Sequence, residues 1–148
     1  MLDCPDILIS LAPGYTRAIL EGRKTVELRR RRMRVKTGTR VWLYSKAPTA
    51  RVEGTACVQL VYEADPKRLW SKYSGVVGIS RAEFDEYFRG CVKGCAIVLG
   101  RACAIVPALD LATMRNKVTG FHPPQFFKRL DPRDVKALLQ TSQPASGN

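Results

Sequence analysis

The sequence predicts an α+β domain, a small mixed β-barrel of about five to six strands flanked by short helices. Three observations point there. Several segments alternate apolar and polar residues with period two, short helical stretches with proper capping residues fall between them, and no repeat or linker divides the 148 residues. That length fits one domain, taken as residues 1–140, with "TSQPASGN" at 141–148 as a polar, disordered tail.

"DILIS" reads as the first strand; the acid before it and the lack of a basic leader are unlike a secretory signal. Pro13 then opens a helix over "GYTRAILEG", with Tyr15, Ile19 and Leu20 facing inward and Gly22 as its stop. "KTVELR" sets Thr25, Glu27 and Arg29 against Val26 and Leu28, so the polar face of this strand can line a cleft. "RRRMRVKTG" is an exposed loop closing at Gly38, and "TRVWLYS" is the next strand. "RVEGTACVQLVYE" is long and β-rich, with Gly54 marking a bulge or a close backbone approach. In the middle, Asp65 and Pro66 open "DPKRLWSKY", and Ser80 with Glu83 forms a capping box for "SRAEFDEYFRG". Phe84, Tyr87 and Phe88 give that helix an apolar stripe, and Gly90 ends it. "CAIVLGRACAIVPAL" returns to strand character, broken at Gly100 and ended by Pro107. "LATMRN", "HPPQFFKRL" and "DPRDVKALLQ" read as short helices, the last opened by Asp131 and Pro132.

Composition narrows the function. No apolar run approaches the ~18–20 residues of a bilayer span. The five cysteines are odd in number and lack a CxxC pair, which suits reduced thiols in a cytoplasmic compartment. Cys91 and Cys95 have a spacing zinc can use, but the one histidine, His122, lies far along the chain, and the acids show no EF-hand-like pattern. No dedicated metal site is expected. The net charge is +12, and between Arg17 and Arg51 twelve basic residues face only Glu21 and Glu27, so ten of those twelve charges are local. An anionic partner follows, nucleic acid first and an acidic membrane surface second.

At "GRKTVELR" the chain resembles the ASCH family, the ASC-1 homology domains of the PUA-like superfamily. "ISLAPGYTRAILEGRKTVELRR" is similar to the family's opening strand, helix and G-x-K-x-x-E-x-R segment, "GTRVWLYSKAP" to its next strand, and "GISRAEFDEYFRG" and "HPPQFF" to later elements. The resemblance covers roughly residues 7–130. It implies a PUA-like barrel with a cleft between barrel and helices, where Gly22, Lys24, Glu27 and Arg29 converge, and RNA as the ligand. Some small members resemble amidohydrolases of acetylated cytidine, using the segment's lysine, a threonine three residues on and a downstream glutamate. Here Glu27 stands at the threonine position and "SGVVGIS" carries no carboxylate. A ribonuclease activity has also been proposed within the family.

The expected site is therefore a basic cleft. Glu27 and Arg29 share a strand face, while Lys24 points the other way unless it lies in the turn after Gly22, from which it can swing into the cleft. Arg30, Arg31, Arg32, Arg34 and Lys36 are the rim that meets phosphates. Tyr44 at "YSKAP" is a stacking platform or a packing residue, with Ser45, Lys46 and Arg51 beside it and Gln125 pairing with a base edge or capping a helix. RNA binding needs no cofactor. Were the chain an enzyme, Lys24, Glu27 and Tyr44 would carry the chemistry, with Mg2+ or another divalent ion for a nuclease. An acidic protein is the alternative partner, and a nuclear address is the alternative use of the arginines in a eukaryote.

Overall fold

Residues 5–145 are described by the computed structural model. Strand β1 (Ile7–Leu11) leads into α1 (Pro13–Leu20), β2 (Val26–Arg29), β3 (Arg40–Ser45) and β4 (Arg51–Ala64). Helices α2 (Pro66–Tyr73) and α3 (Arg81–Tyr87) follow, then β5 (Gly94–Asp110), α4 (Leu111–Lys117), β6 (Phe127–Arg129), α5 (Pro132–Thr141) and the two-residue β7 (Gln143–Pro144). The strands form one sheet in the order β2-β5-β4-β3-β1-β6, with β7 added to β5. β1 and β3 run parallel, and the other pairs are antiparallel. The architecture is α+β, with the sheet curled into a half-barrel. Its edges β2 and β6 do not pair with each other among the described residues.

The curl comes from bulges, each of which bends and twists its strand. The β4–β5 ladder shifts register at Val52/Gly54, Thr55/Cys57 and Val58/Leu60, and β3–β4 shifts at Leu43/Tyr44. Gly54 combines a bulge with a close approach, since a Cβ there would lie 2.6 Å from the Cys103 carbonyl oxygen and from Leu20 Cδ2. The curled sheet buries Ile7, Ile9, Leu43, Ile97 and Leu99 on its inner face under Ile19 of α1. On the outer face, Leu8, Trp42 and Tyr44 pack on Met114 and Leu138 of α4 and α5. Val26 and Leu28 pack separately against Leu69, Phe84 and Phe88 of α2 and α3.

The helix starts follow the caps: Asp65 accepts from Arg68 N at 3.0 Å, and both halves of the Ser80–Glu83 box are made. Three expectations fail. β5 is neither broken at Gly100 nor ended by Pro107 but runs seventeen residues, because a register shift beside Gly100 and the positive φ of Arg101 absorb the kink. "HPPQFFKRL" is not a helix: its prolines lack the N–H groups a helix needs, and Phe127–Arg129 instead pairs with β1. Residues 141–145 are not a frayed tail. Buried Ser142 donates to the Pro107 carbonyl, and Ala145 N donates to Ala104 O at 2.7 Å. Residues 146–148 of that expected tail, and residues 1–4, lie outside the described part.

Candidate functional site

The site begins where α1 stops. Gly22 adopts φ +81°, and the N–H groups of Arg23 and Lys24 both donate to Ala18 O, at 2.9 and 3.1 Å. This tight turn lays Lys24 against the inner end of β2. Its stem packs on Gly78, where a Cβ would come within 3.2 Å of it, and the side chain is only 2% exposed. Nζ donates to Val26 O at 2.9 Å and Val77 O at 2.6 Å, and it lies 3.4 Å from Glu27 Oε1 and 5.1 Å from the centre of the Tyr15 ring. Burial pushes the Lys24 pKa down, and the Glu27 carboxylate works against that push.

Glu27 is 5% exposed, and its Oε2 lies 2.9 Å from Arg29 Nη1. One carboxylate thus sits between two cations. Arg29 Nε and Nη2 are buried and find no acceptor among the described residues. An unsatisfied buried donor costs on the order of 1–3 kcal/mol, more when charged, so an acceptor reaching these two donors would be stabilising.

A cleft of about 580 Å³ opens over these residues, between Tyr15 of α1, β2, and the α3 face that carries Ala82, Glu83, Glu86 and Tyr87. Its lining holds two cations against three carboxylates. The expected basic cleft is therefore a nearly charge-balanced aromatic one, and the cationic excess lies beside it. Burial raises the pKa of Tyr15, with Glu83 and Glu27 adding to the effect. Burial also raises that of Tyr87, against the pull of Arg29. Sequence reasoning missed the α3 wall because Glu83 was accounted for by its capping box and Tyr87 by the apolar stripe. Helical spacing of Ala82, Glu83, Glu86 and Tyr87 was the available signal. Although "SGVVGIS" lacks a carboxylate, the helix after it supplies Glu83 to the cleft.

The arginine loop is exposed but pinned. Arg30 donates from Nε to Cys91 Sγ at 3.1 Å and from Nη2 to Arg89 O at 3.2 Å, while Met33 is buried in the inner core. Arg129 of β6 donates to Arg34 O at 2.7 Å. The side chains of Arg31, Arg32, Arg34 and Lys36 stay exposed.

The second group of expected residues lies apart. Tyr44 is buried on the outer face, its ring edge-on to Phe121 at 6.4 Å, and burial raises its pKa. A covered ring offers no face to a base. Nor does the structure bring Tyr44 to Lys24 and Glu27, so the expected catalytic trio is not assembled. Ser45 is buried and donates to Glu53 Oε1 at 2.6 Å. Lys46 and Arg51 are exposed, with Arg51 leaning 3.5 Å from Glu53. Gln125 and His122 are exposed and outside the cleft lining. Phe126, next to Gln125, is 57% exposed, and its ring centre lies 6.0 Å from the Arg29 guanidinium.

Among the described residues no group of three or more His, Cys, Asp or Glu is placed to hold a metal ion, and no helix is long and apolar enough to cross a membrane.

A family model described as a domain of unknown function, DUF365, matches residues 7–126. A Zymomonas mobilis protein named ASCH domain-containing ribonuclease is 33% identical over 147 residues, 97% of this chain and 99% of that one. The crystal structure of ASCH from Zymomonas mobilis superposes with a TM-score of 0.91 at 30% identity, over 95% of this chain and 98% of its own. A hypothetical protein from Leishmania major shares the fold alone, with a TM-score of 0.60 at 13% identity over 94% of each chain. With one-third identity over nearly the full length of both chains and a matching PUA-like fold, the chain belongs to the ASCH domain family.

Proposed function

We propose that the chain binds RNA, admitting a base to the cleft beneath α3 while phosphates run over Arg30, Arg31, Arg32, Arg34 and Lys36. One observation carries this reading: a charge-balanced cleft with Tyr15 and Tyr87 in its walls adjoins a pinned cationic loop. Bases offer π-faces and hydrogen-bonding edges, whereas the RNA backbone offers charge, so the two surfaces match the two parts of the ligand. The name of the Zymomonas relative supports work on RNA. The four described free cysteines, Cys57, Cys91, Cys95 and Cys103, fit a cytoplasmic setting.

A second reading, RNA hydrolysis, is favoured by that same name. Lys24, its pKa lowered by burial, would then act beside Glu27 on a bound nucleotide, with a divalent ion carried in by RNA phosphates. An amidohydrolase acting on a modified cytidine remains the other enzyme form of the proposal, with Glu83 as the downstream carboxylate.

The test is a salt titration of labelled single-stranded RNA against wild type and Arg31→Ala/Arg32→Ala/Arg34→Ala. With about 0.7 counterions released per phosphate contact, the triple variant should lose roughly a hundredfold in affinity at ~0.1 M salt and flatten the log–log slope by about two. An unchanged slope overturns the loop's role. The same RNA incubated with Mg2+ or with EDTA, and acetylated cytidine in parallel, separates binding from catalysis. Turnover that disappears in Lys24→Ala moves the reading to an enzyme.

A further inference from the structure

We propose that the cleft holds one whole nucleotide, its phosphate on the Arg29 guanidinium and its base turned toward Glu27 and Glu83. This deepens the RNA reading and rests on it. Glu27 Oε2 lies 2.9 Å from Nη1 of Arg29 and restrains the guanidinium, while the Nε and Nη2 donors are buried without an acceptor among the described residues. That edge is a pair of parallel donors matching two oxygens of a phosphate, and a fork already held in place loses little freedom when the anion arrives.

An aromatic side chain stands beside the guanidinium. Phe126 lies with its ring centre 6.0 Å from the guanidinium carbon, and it is a large apolar side chain left mostly in water on the loop between the two prolines and β6. Turning it aside costs little buried area and bares more of the Arg29 guanidinium, which already lines the cleft. The opposite end has the reverse polarity. Lys24 spends its donors on Val26 O, Val77 O and Glu27, so the end near Tyr15 presents the carboxylates of Glu27 and Glu83 with no free cation among the described residues. A phosphate gains no unpaired cation from the described residues there. Cytosine, adenine and guanine can donate an exocyclic amino group to a carboxylate, whereas uracil has no amino group and flanks its one N3–H donor with carbonyl oxygens that a carboxylate opposes.

Calorimetric titration of cytidine 5′-monophosphate, uridine 5′-monophosphate and cytidine tests the assignment, with a labelled single-stranded oligonucleotide titrated in parallel. Wild type should bind cytidine 5′-monophosphate at least tenfold more tightly than cytidine, and uridine 5′-monophosphate about fivefold more weakly than its cytidine counterpart. Arg29→Lys keeps a charge beside Glu27 but lacks the fork, so the gain from the phosphate, read as the ratio of cytidine to cytidine 5′-monophosphate affinity within the same variant, should fall below threefold. Phe126→Ala lies outside the ion chain and should tighten cytidine 5′-monophosphate two- to fivefold without changing cytidine. Equal affinities for nucleoside and nucleotide in wild type, or a phosphate gain untouched by both variants, overturns the proposal. If the oligonucleotide still binds in that case, only the nucleotide assignment falls. If neither oligonucleotide nor monophosphate binds, the RNA reading falls with it.

Discussion

Residues 24–29 and 30–36 are neighbours in sequence and both rich in cations, yet they settle into opposite environments. In the first, Lys24, Glu27 and Arg29 form a buried chain of ions in which one carboxylate serves two cations. In the second, Arg31, Arg32, Arg34 and Lys36 stand in water on a loop held by Arg30, Met33 and the Arg34 carbonyl. The difference is set by the strand. β2 buries both of its faces, so any charge on it must be paired. The loop buries only Met33 and part of Val35, so its charges need no partner. Buried ions hold a geometry, whereas exposed ions create a field that attracts without selecting.

The sharpest way to separate the two is to remove one charge from each. Glu27→Gln leaves Lys24 and Arg29 buried with no counter-charge, and breaking such a pair costs about 3–5 kcal/mol. Arg31→Ala removes an exposed charge and should change stability by no more than about 0.5 kcal/mol. Denaturant unfolding of both variants measures the contrast. Comparable losses would mean that Lys24, Glu27 and Arg29 do not act as one buried unit. Adding Lys24→Met to Glu27→Gln should return part of the loss, because it removes one of the orphaned charges.

How far each region was legible follows from the same physics. The β2 strand was visible as a period-two pattern, and the Gly22 turn that brings Lys24 inward was one of two placements the spacing allowed. The loop was visible as a charge run. Its pins were not, since Arg30 meets Cys91 and Arg129 meets Arg34 across separations of 61 and 95 residues. Charge balance in the cleft was hidden for a related reason: Glu83 and Glu86 arrive from α3 and carry no mark of which wall they face. Tyr44 shows the converse case: a tyrosine at a strand end reads equally well as a stacking platform or as core, and the packing of Phe121 against it selects the second. The capped helix starts were the most legible part because a cap is settled within four residues. Gly100 and Pro107 misled because a long partner strand can carry a breaker through a bulge.

pH gives a second, smaller contrast. Lys24 has a folded pKa below its ordinary 10.5, mainly through burial. Between the folded value and 10.5 the unfolded chain binds more protons, so this group makes stability rise with pH, by at most about 1.4 kcal/mol per pH unit. The unfolding free energy of wild type minus that of Lys24→Met should therefore climb as pH rises toward 10.5. Tyr15 and Tyr87, raised above 10.0, pull the other way only at the top of that range. A flat or falling difference below pH 10 would mean Lys24 carries no burial penalty.

The smallest expected effect concerns the pins. If the loop were a loose cloud of charge, any lost cation would matter about equally to RNA binding. Arg129→Ala and Arg133→Ala each remove one exposed positive charge, but only Arg129 holds the loop, through the Arg34 carbonyl, while Arg133 leans on Asp131 at the start of α5. Arg129→Ala should therefore speed amide exchange over residues 32–36 and weaken single-stranded RNA binding two- to threefold more than Arg133→Ala at the same salt. The excess is the cost of ordering, on binding, side chains that the native loop already holds in register, about 0.5–1.5 kcal/mol for each immobilised side chain. Equal losses in the two variants would leave the loop a source of charge and nothing more.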